Sequence, residues 1–212
     1  MRKGGSPVPR TPANPARDRA ATMPAVSDGV TAAQLRVWAQ KWRWYERNAL
    51  PWNRAQIHWQ FMRRGAFVRW PVHGNVLEAL REGRLELGDG TLFEPGVWIT
   101  APGRARIRIG RGSFLNLGVM VAAAELVEIG DHCMLANGCF VSDSSHRFDD
   151  PALPVTWQGF TSKGPTTIGA NCWLGAHVVV TSGVSVGERS RWPACSARRS
   201  PPAPARPPSR CG

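Results

Sequence analysis

From Leu87 to Val186 a branched or large apolar residue returns every six positions, and this period constrains the fold more than any other feature of the chain. The series runs Leu87, Phe93 and Ile99, then Ile109, Leu115 and Val121, then Ile129, Leu135 and Val141, then Ile168, Leu174, Val180 and Val186. The next residue is often glycine (Gly88, Gly110, Gly130, Gly169, Gly175, Gly187). The residue four positions on is usually small: Thr91, Val97, Ser113, Val119, Cys133, Cys139, Ser145, Cys172, Val178 and Val184. Chance is a poor explanation for so many rungs with matched side positions, and a short unit that repeats must stack on its own copies.

The pattern resembles the hexapeptide repeat of left-handed parallel β-helices. Three hexads make one triangular coil, as from Ile168 to Val186. Each side is a short strand, the apolar residue fills the prism, and the small residue points inward near a corner. Glycine and Asn relieve the backbone at the tight turns. The expected fold is therefore mainly β, a single-stranded left-handed parallel β-helix over residues 85–187. Its weak rungs lie around Ile99 and Val121, where extra residues fall at 103–108 and 127–128. Cys133, Cys139 and Cys172 take the small inward position, so they read as core fillers rather than nucleophiles or metal ligands.

The flanks differ in character. Residues 1–27 form a basic leader rich in Pro, Ala and Arg with little to bury, which reads as disordered, and Met23 is a candidate true start. Residues 28–84 read as a helical cap, with a helix over 31–47 (Thr31 as N-cap; Leu35, Trp38, Trp42 and Tyr45 at helical spacing), Pro51 as a break, and a second helix over 52–64. Trp38, Trp42, Trp44, Trp52, Trp59 and Trp70 alternate here with Lys41, Arg43, Arg47, Arg54, Arg63 and Arg64. Such a segment can pack its Trp face on the main domain, or residues 35–70 can meet a membrane surface peripherally. The net charge of +12 concentrates in the ends: residues 1–27 carry five basic and one acidic residue, residues 188–212 six and one, which leaves +3 for the rest. That distribution argues against a specific nucleic-acid function. No apolar stretch is long enough to span a bilayer, no apolar signal region opens the chain, and five cysteines do not make a disulfide framework. A cytoplasmic protein is expected, with the inner membrane face as the other possibility.

The repeat is interrupted once. Val141 opens a hexad that ends at His146, and residues 147–166 then fit no hexad before Ile168 resumes. Long excursions from a compact repeat are often functional. His146 followed by an excursion, then Gly164-Pro-Thr-Thr-Ile-Gly-Ala-Asn-Cys-Trp-Leu-Gly-Ala-His177, resembles the maltose/galactoside O-acetyltransferase branch of the hexapeptide acyltransferases and the acetyltransferases of cell-surface polysaccharide synthesis. The likeness covers roughly residues 85–187, with 141–187 its specific part. It implies an acetyl-CoA-dependent O-acetyltransferase with no metal, acting on a hydroxyl of a sugar or glycoconjugate. His146 would be the general base, with Asp143 or Asp149 orienting its imidazole. Asn116, after Phe114 in Phe114-Leu-Asn-Leu, would bind the acceptor or simply shape a corner. Trp173, Gly175 and Ala176 match the strand along which the pantetheine arm lies, and Trp173 either walls the thioester tunnel or packs at a subunit boundary. A homotrimer with sites between subunits is implied. A γ-class carbonic anhydrase would need three converging histidines, and His132, His146 and His177 lack that family's close pair.

After Gly187 the expected coils do not follow. Residues 188–212 read as a disordered tail, with a frameshift or truncation near residue 189, and this keeps open an alternative: a truncated, catalytically inactive β-helix scaffold.

Overall fold

The computed structural model describes residues 46–193 apart from 154, 156 and 157, together with positions 32, 35, 36, 39, 40 and 42. Expectations placed on residues 1–27, on Thr31, Trp38, Trp44 and Tyr45, and on residues 194–212 lie outside the described residues.

The six-residue period becomes three parallel sheets that wrap a single core. Numbered along the chain, sheet A stacks β1 (Phe67–Val68), β4 (Leu92–Phe93), β7 (Phe114–Leu115), β10 (Met134–Leu135), β15 (Trp173–Leu174) and β18 (Arg191–Trp192). Sheet B stacks β2 (Val72–Gly74), β5 (Val97–Thr100), β8 (Met120–Ala122), β11 (Phe140–Ser142) and β16 (Val179–Val180). Sheet C stacks β3 (Leu85–Leu87), β6 (Arg106–Ile109), β9 (Leu126–Ile129), β14 (Thr166–Ile168) and β17 (Ser185–Val186). The chain visits A, B and C in turn, so five complete coils stand on one another and β18 opens the next. This is the expected parallel β-helix.

Register explains why the period has to be apolar. Phe93, Leu115, Leu135 and Leu174 are direct partners across successive coils. So are Ile99, Val121, Val141 and Val180, and likewise Ile109, Ile129, Ile168 and Val186. All twelve are at most 4 % exposed. Each buried side chain of this size contributes about 1.5–3 kcal/mol, and like stacks on like along the axis.

The small inward position has a second duty. Thr91 Oγ1 donates to the carbonyl of Gly110 at 3.0 Å, Ser113 Oγ to that of Gly130 at 2.8 Å, Cys133 Sγ to that of Gly169 at 3.1 Å and Cys172 Sγ to that of Gly187 at 3.0 Å. Each side chain thus satisfies a carbonyl one coil further on. The cysteines are buried fillers, as their positions imply, and each also acts as a weak donor. The hydrogen bond with Cys172, and burial after it, push the Cys133 thiol up. The glycines that follow the apolar residue answer to coil spacing. A Cβ on Gly130 would lie 2.6 Å from the amide nitrogen of Ala170.

The cap is built around α1 (Pro51–Met62) and α2 (Val76–Arg81). Asn53, Ile57 and Phe61 recur every four residues and face the core, where Phe61 meets Phe93 edge-on at 5.1 Å between centroids. Pro51 starts α1 where its missing N–H costs nothing. Gly65, at φ 67°, ends it, with Gly65 N donating to Met62 O and Ala66 N to Phe61 O, a Schellman closure. The described positions of the expected first helix (Ala32, Leu35, Arg36, Ala39, Gln40 and Trp42) are helical, and a short 3-10 turn follows at Arg47–Ala49. Among the described residues no helix is long and apolar enough to cross a membrane.

Three boundaries differ from the expected ones. Two rungs, β1 and β2, lie upstream of Leu85, inside the segment read as cap. Val68 and Gly74 keep the spacing of six, but a glycine fills the apolar place and α2 interrupts the coil. Downstream, Trp192 stands six residues after Val186 and pairs with Leu174, so a rung does follow Val186. The excursion starts at Asp143 rather than after His146, and Ser145 is therefore exposed instead of pointing inward.

Candidate functional site

The chain leaves the prism between sheets B and C of the fourth coil as an antiparallel hairpin, β12 (Ser144–His146) and β13 (Phe160–Ser162). Its base is held from both sides. Below, the fully buried Asp143 carboxylate accepts from three amides of the third coil: Ala124 N at 2.6 Å and Glu125 N and Leu126 N at 2.7 Å each. Above, Ser182 Oγ donates to the Asp143 carbonyl and accepts from Lys163 N at 2.7 Å. A carboxylate in this position acts as a backbone substitute where the regular ladder ends.

His146 closes β12 and is exposed. Its ring packs against Phe160, its partner across the hairpin, at 4.4 Å between centroids and 35° between planes. Neither aspartate expected to orient the imidazole does so. Asp143 serves the amides, and Asp149 takes Arg147 in a two-pronged pair of 3.0 and 2.8 Å, which holds the Asp149 carboxyl below its usual range. Further out, Gln158 ties the tip together, accepting from Asp150 N at 3.0 Å and donating to the carbonyls of Asp150 and Leu153 at 2.8 Å. Phe148 (79 % exposed) and Phe160 (64 %) leave the hairpin with an apolar outer surface around the histidine.

The other site residues gather elsewhere. Phe114 and Trp173 lie on the outer face of sheet A, two coils apart, with Met134 between them in register. Asn116 and Gly175 follow those strands on the edge between sheets A and B, and Ala176 comes next to Gly175. Asn116 Oδ1 accepts from the adjacent Leu117 N at 2.8 Å, so the side chain does shape its corner. Thus Phe114, Asn116, Trp173 and Ala176 share one strip of surface, with Gly175 buried beneath it, while His146 rises from the edge between B and C. The width of sheet B, about 10 Å for a strand of three residues, separates the two edges. The other two histidines of the β-helix weighed as zinc ligands hold turns: His132 on the edge between C and A (φ 56°) and His177 on the edge between A and B (φ 58°). The three histidines stand on three different edges.

The outer faces of the sheets are unequal. Sheet C is charged, with Arg108 between Glu86 (3.3 Å) and Glu128 (2.8 Å). Sheet A presents Phe67, Leu92, Phe114, Met134 and Trp173 in one row that ends on the exposed Arg191, and sheet B presents His73, Trp98, Met120, Phe140 and Val179 in another. Concavities of about 760 and 700 Å3 lie beside α2 and along sheet C, and neither includes His146.

Sequence reasoning missed Phe160 and the anchoring duty of Asp143. Phe160 lies in a stretch without period, where only an assumed hairpin pairing could have placed it opposite His146. Asp143 carried no signal of its own, since charged residues also stand two positions after Leu87, Ile109, Ile129 and Val186, where the coils continue.

Comparison with known proteins agrees with this picture. The family model described as the hexapeptide repeat of succinyl-transferase matches residues 165–191. The Mycobacterium tuberculosis protein named "Probable acetyltransferase Rv3034c" is 30 % identical over 152 residues, which cover 64 % of this chain and 49 % of that protein. The galactoside O-acetyltransferase of Escherichia coli is 30 % identical over 104 residues, 49 % of each chain. An Escherichia coli protein named as a lipopolysaccharide biosynthesis O-acetyl transferase, WbbJ, is 25 % identical over 134 residues, 60 % of this chain and 65 % of its own. The chain spans about half the length of the first two of these relatives. Period and coil geometry make this a parallel β-helix of hexapeptide repeats, and the proteins it resembles are named acetyltransferases.

Proposed function

We propose that the protein is an acyl-CoA-dependent O-acyltransferase, with acetyl-CoA as donor and a saccharide or glycoconjugate hydroxyl as acceptor. The observation that carries this reading is the exposed His146, held on a hairpin whose base is fixed to the coils on either side. The imidazole takes the proton of the acceptor hydroxyl as its oxygen attacks the thioester carbonyl. The C–S bond then breaks, the ester forms, and the imidazolium returns the proton to the CoA thiolate. The Phe160 ring packs on the histidine from one face.

The donor arm would run along the strip of Trp173 and Ala176, over the buried Gly175, with the acceptor near Phe114 and Asn116. That strip and His146 occupy different edges of one prism, so a complete site brings the hairpin of one copy against the strip of another. The apolar outer faces of sheets A and B, beside a charged sheet C, suit a homotrimer that buries the first two and wets the third.

The test is acetyl-CoA binding and acetyl transfer to a panel of galactosides and oligosaccharides, with wild type and His146→Ala. Retained donor binding with transfer reduced by about 100-fold or more supports the base. Transfer at the wild-type rate in His146→Ala refutes it, and donor binding without transfer to any acceptor in either form would favour a non-catalytic scaffold.

A further inference from the structure

Helix α1 is apolar on two opposite sides. Its inner row, Asn53, Ile57 and Phe61, closes the first-coil end of the prism. On a helical wheel Trp52, Ala55, Trp59 and Met62 fall opposite that row, at spacings of three, seven and ten. They point away from the protein: Trp52 is 74 % exposed, Trp59 59 % and Met62 64 %, and the preceding Leu50 is exposed as well. An uninterrupted apolar stripe with two tryptophans is not an ordinary solvent face.

Charge decides what it fits. From Arg47 to Leu77 the sequence contains no Asp or Glu and five arginines. Arg47 and Arg63 are exposed at the ends of α1, while the Arg54 guanidinium lies over the Trp70 ring at 5.2 Å. A stripe rimmed by a single sign of charge repels its own copy, because a two-fold contact sets the same arginines against one another. It matches a surface that is apolar at depth and anionic above. Tryptophan and arginine are the side chains that sit at that boundary.

We propose that α1 docks the protein on an anionic phospholipid bilayer, with Trp52, Trp59 and Met62 seated at headgroup depth and Arg47 and Arg63 on lipid phosphates. Nothing in this inference depends on the transferase reading. The full chain is sedimented with vesicles of phosphatidylcholine alone and with about 30 % phosphatidylglycerol, at low salt and at about 0.5 M salt. The wild type binds the anionic vesicles, and salt weakens the binding. The double variant Trp52→Ala/Trp59→Ala loses about tenfold or more in binding, with unchanged circular dichroism and native mass. Arg63→Glu, which leaves the apolar stripe intact, also weakens it.

Three results overturn the proposal. One is a wild type that does not sediment with anionic vesicles. Another is a double variant that binds as well as wild type, which assigns adhesion to the basic ends whose arginines it retains. The last is a double variant whose native mass falls, which assigns the stripe to contact between copies.

Discussion

Replacing Asp143 with Asn removes one charge and almost no volume, which makes it a clean probe of how the hairpin is anchored. The carboxylate is fully buried and accepts from Ala124 N at 2.6 Å and from Glu125 N and Leu126 N at 2.7 Å. An amide side chain offers one acceptor oxygen in place of two and turns an NH2 group toward amides that already donate. At least one of the three N–H groups then faces no acceptor on the fully buried side chain. A hydrogen bond to a charged group contributes about 1.5–3 kcal/mol and an unpaired buried donor costs about 1–3 kcal/mol, so the expected loss is about 3–5 kcal/mol. For a domain of this size that lowers Tm by roughly 10 °C. Urea unfolding measures the total, and native-state hydrogen exchange locates it. The amides of Ala124, Glu125 and Leu126 should exchange faster, relative to amides in the strands of sheet A, than they do in the wild type. A loss below about 1 kcal/mol with unchanged exchange at those three amides would refute the anchoring argument.

Two further predictions concern the coils. Gly130→Ala places a methyl 2.6 Å from the Ala170 nitrogen and forces two coils apart, so urea unfolding should show a loss of about 3 kcal/mol. Gly187→Ala, in the same row but with its nearest neighbour at 3.8 Å, should lose less than about 1 kcal/mol. The Asp131 carboxylate accepts from Arg111 N at 2.7 Å and pairs with the Arg111 guanidinium at 3.1 Å, which lowers its pKa. A lowered folded-state value stabilises above the ordinary carboxylate range and is lost as pH falls through the lowered value. The Tm gap between wild type and Asp131→Asn should therefore be present at pH ~7 and close toward pH ~3, and a gap constant with pH would refute the assignment.

The prism was legible because its geometry repeats. A residue such as Leu135 must be apolar, and so must its partners Leu115 and Leu174, so the constraint is written several times over. Where a rung broke the rule it was hidden. Gly74 stands in an apolar place, and Trp192 follows the charged run from Glu188 to Arg191 and precedes Pro193. The hairpin was legible only as an interruption, since antiparallel pairing in a single copy leaves no period. The packing of His146 on Phe160 depends on that pairing, and the fate of Asp143 depends on which amides a stacked coil happens to leave open. Inward residues repeat a rule, whereas the site is specified once.

The hairpin leaves the fourth coil after Ser142 and re-enters it at Thr166, yet β11 and β14 remain paired with the coils before and after them. The interruption costs the prism no strand. Its closure entropy grows slowly with length, by roughly 0.6 kcal/mol per doubling, and its ends are already pinned by Asp143 and Ser182. Whatever lies between Arg147 and Gly159 can therefore lengthen, shorten or change composition while the stack beneath it keeps its stability. A lineage carrying this fold can explore new recognition surfaces by rewriting one hairpin tip, with the histidine held at a constant height above the coils.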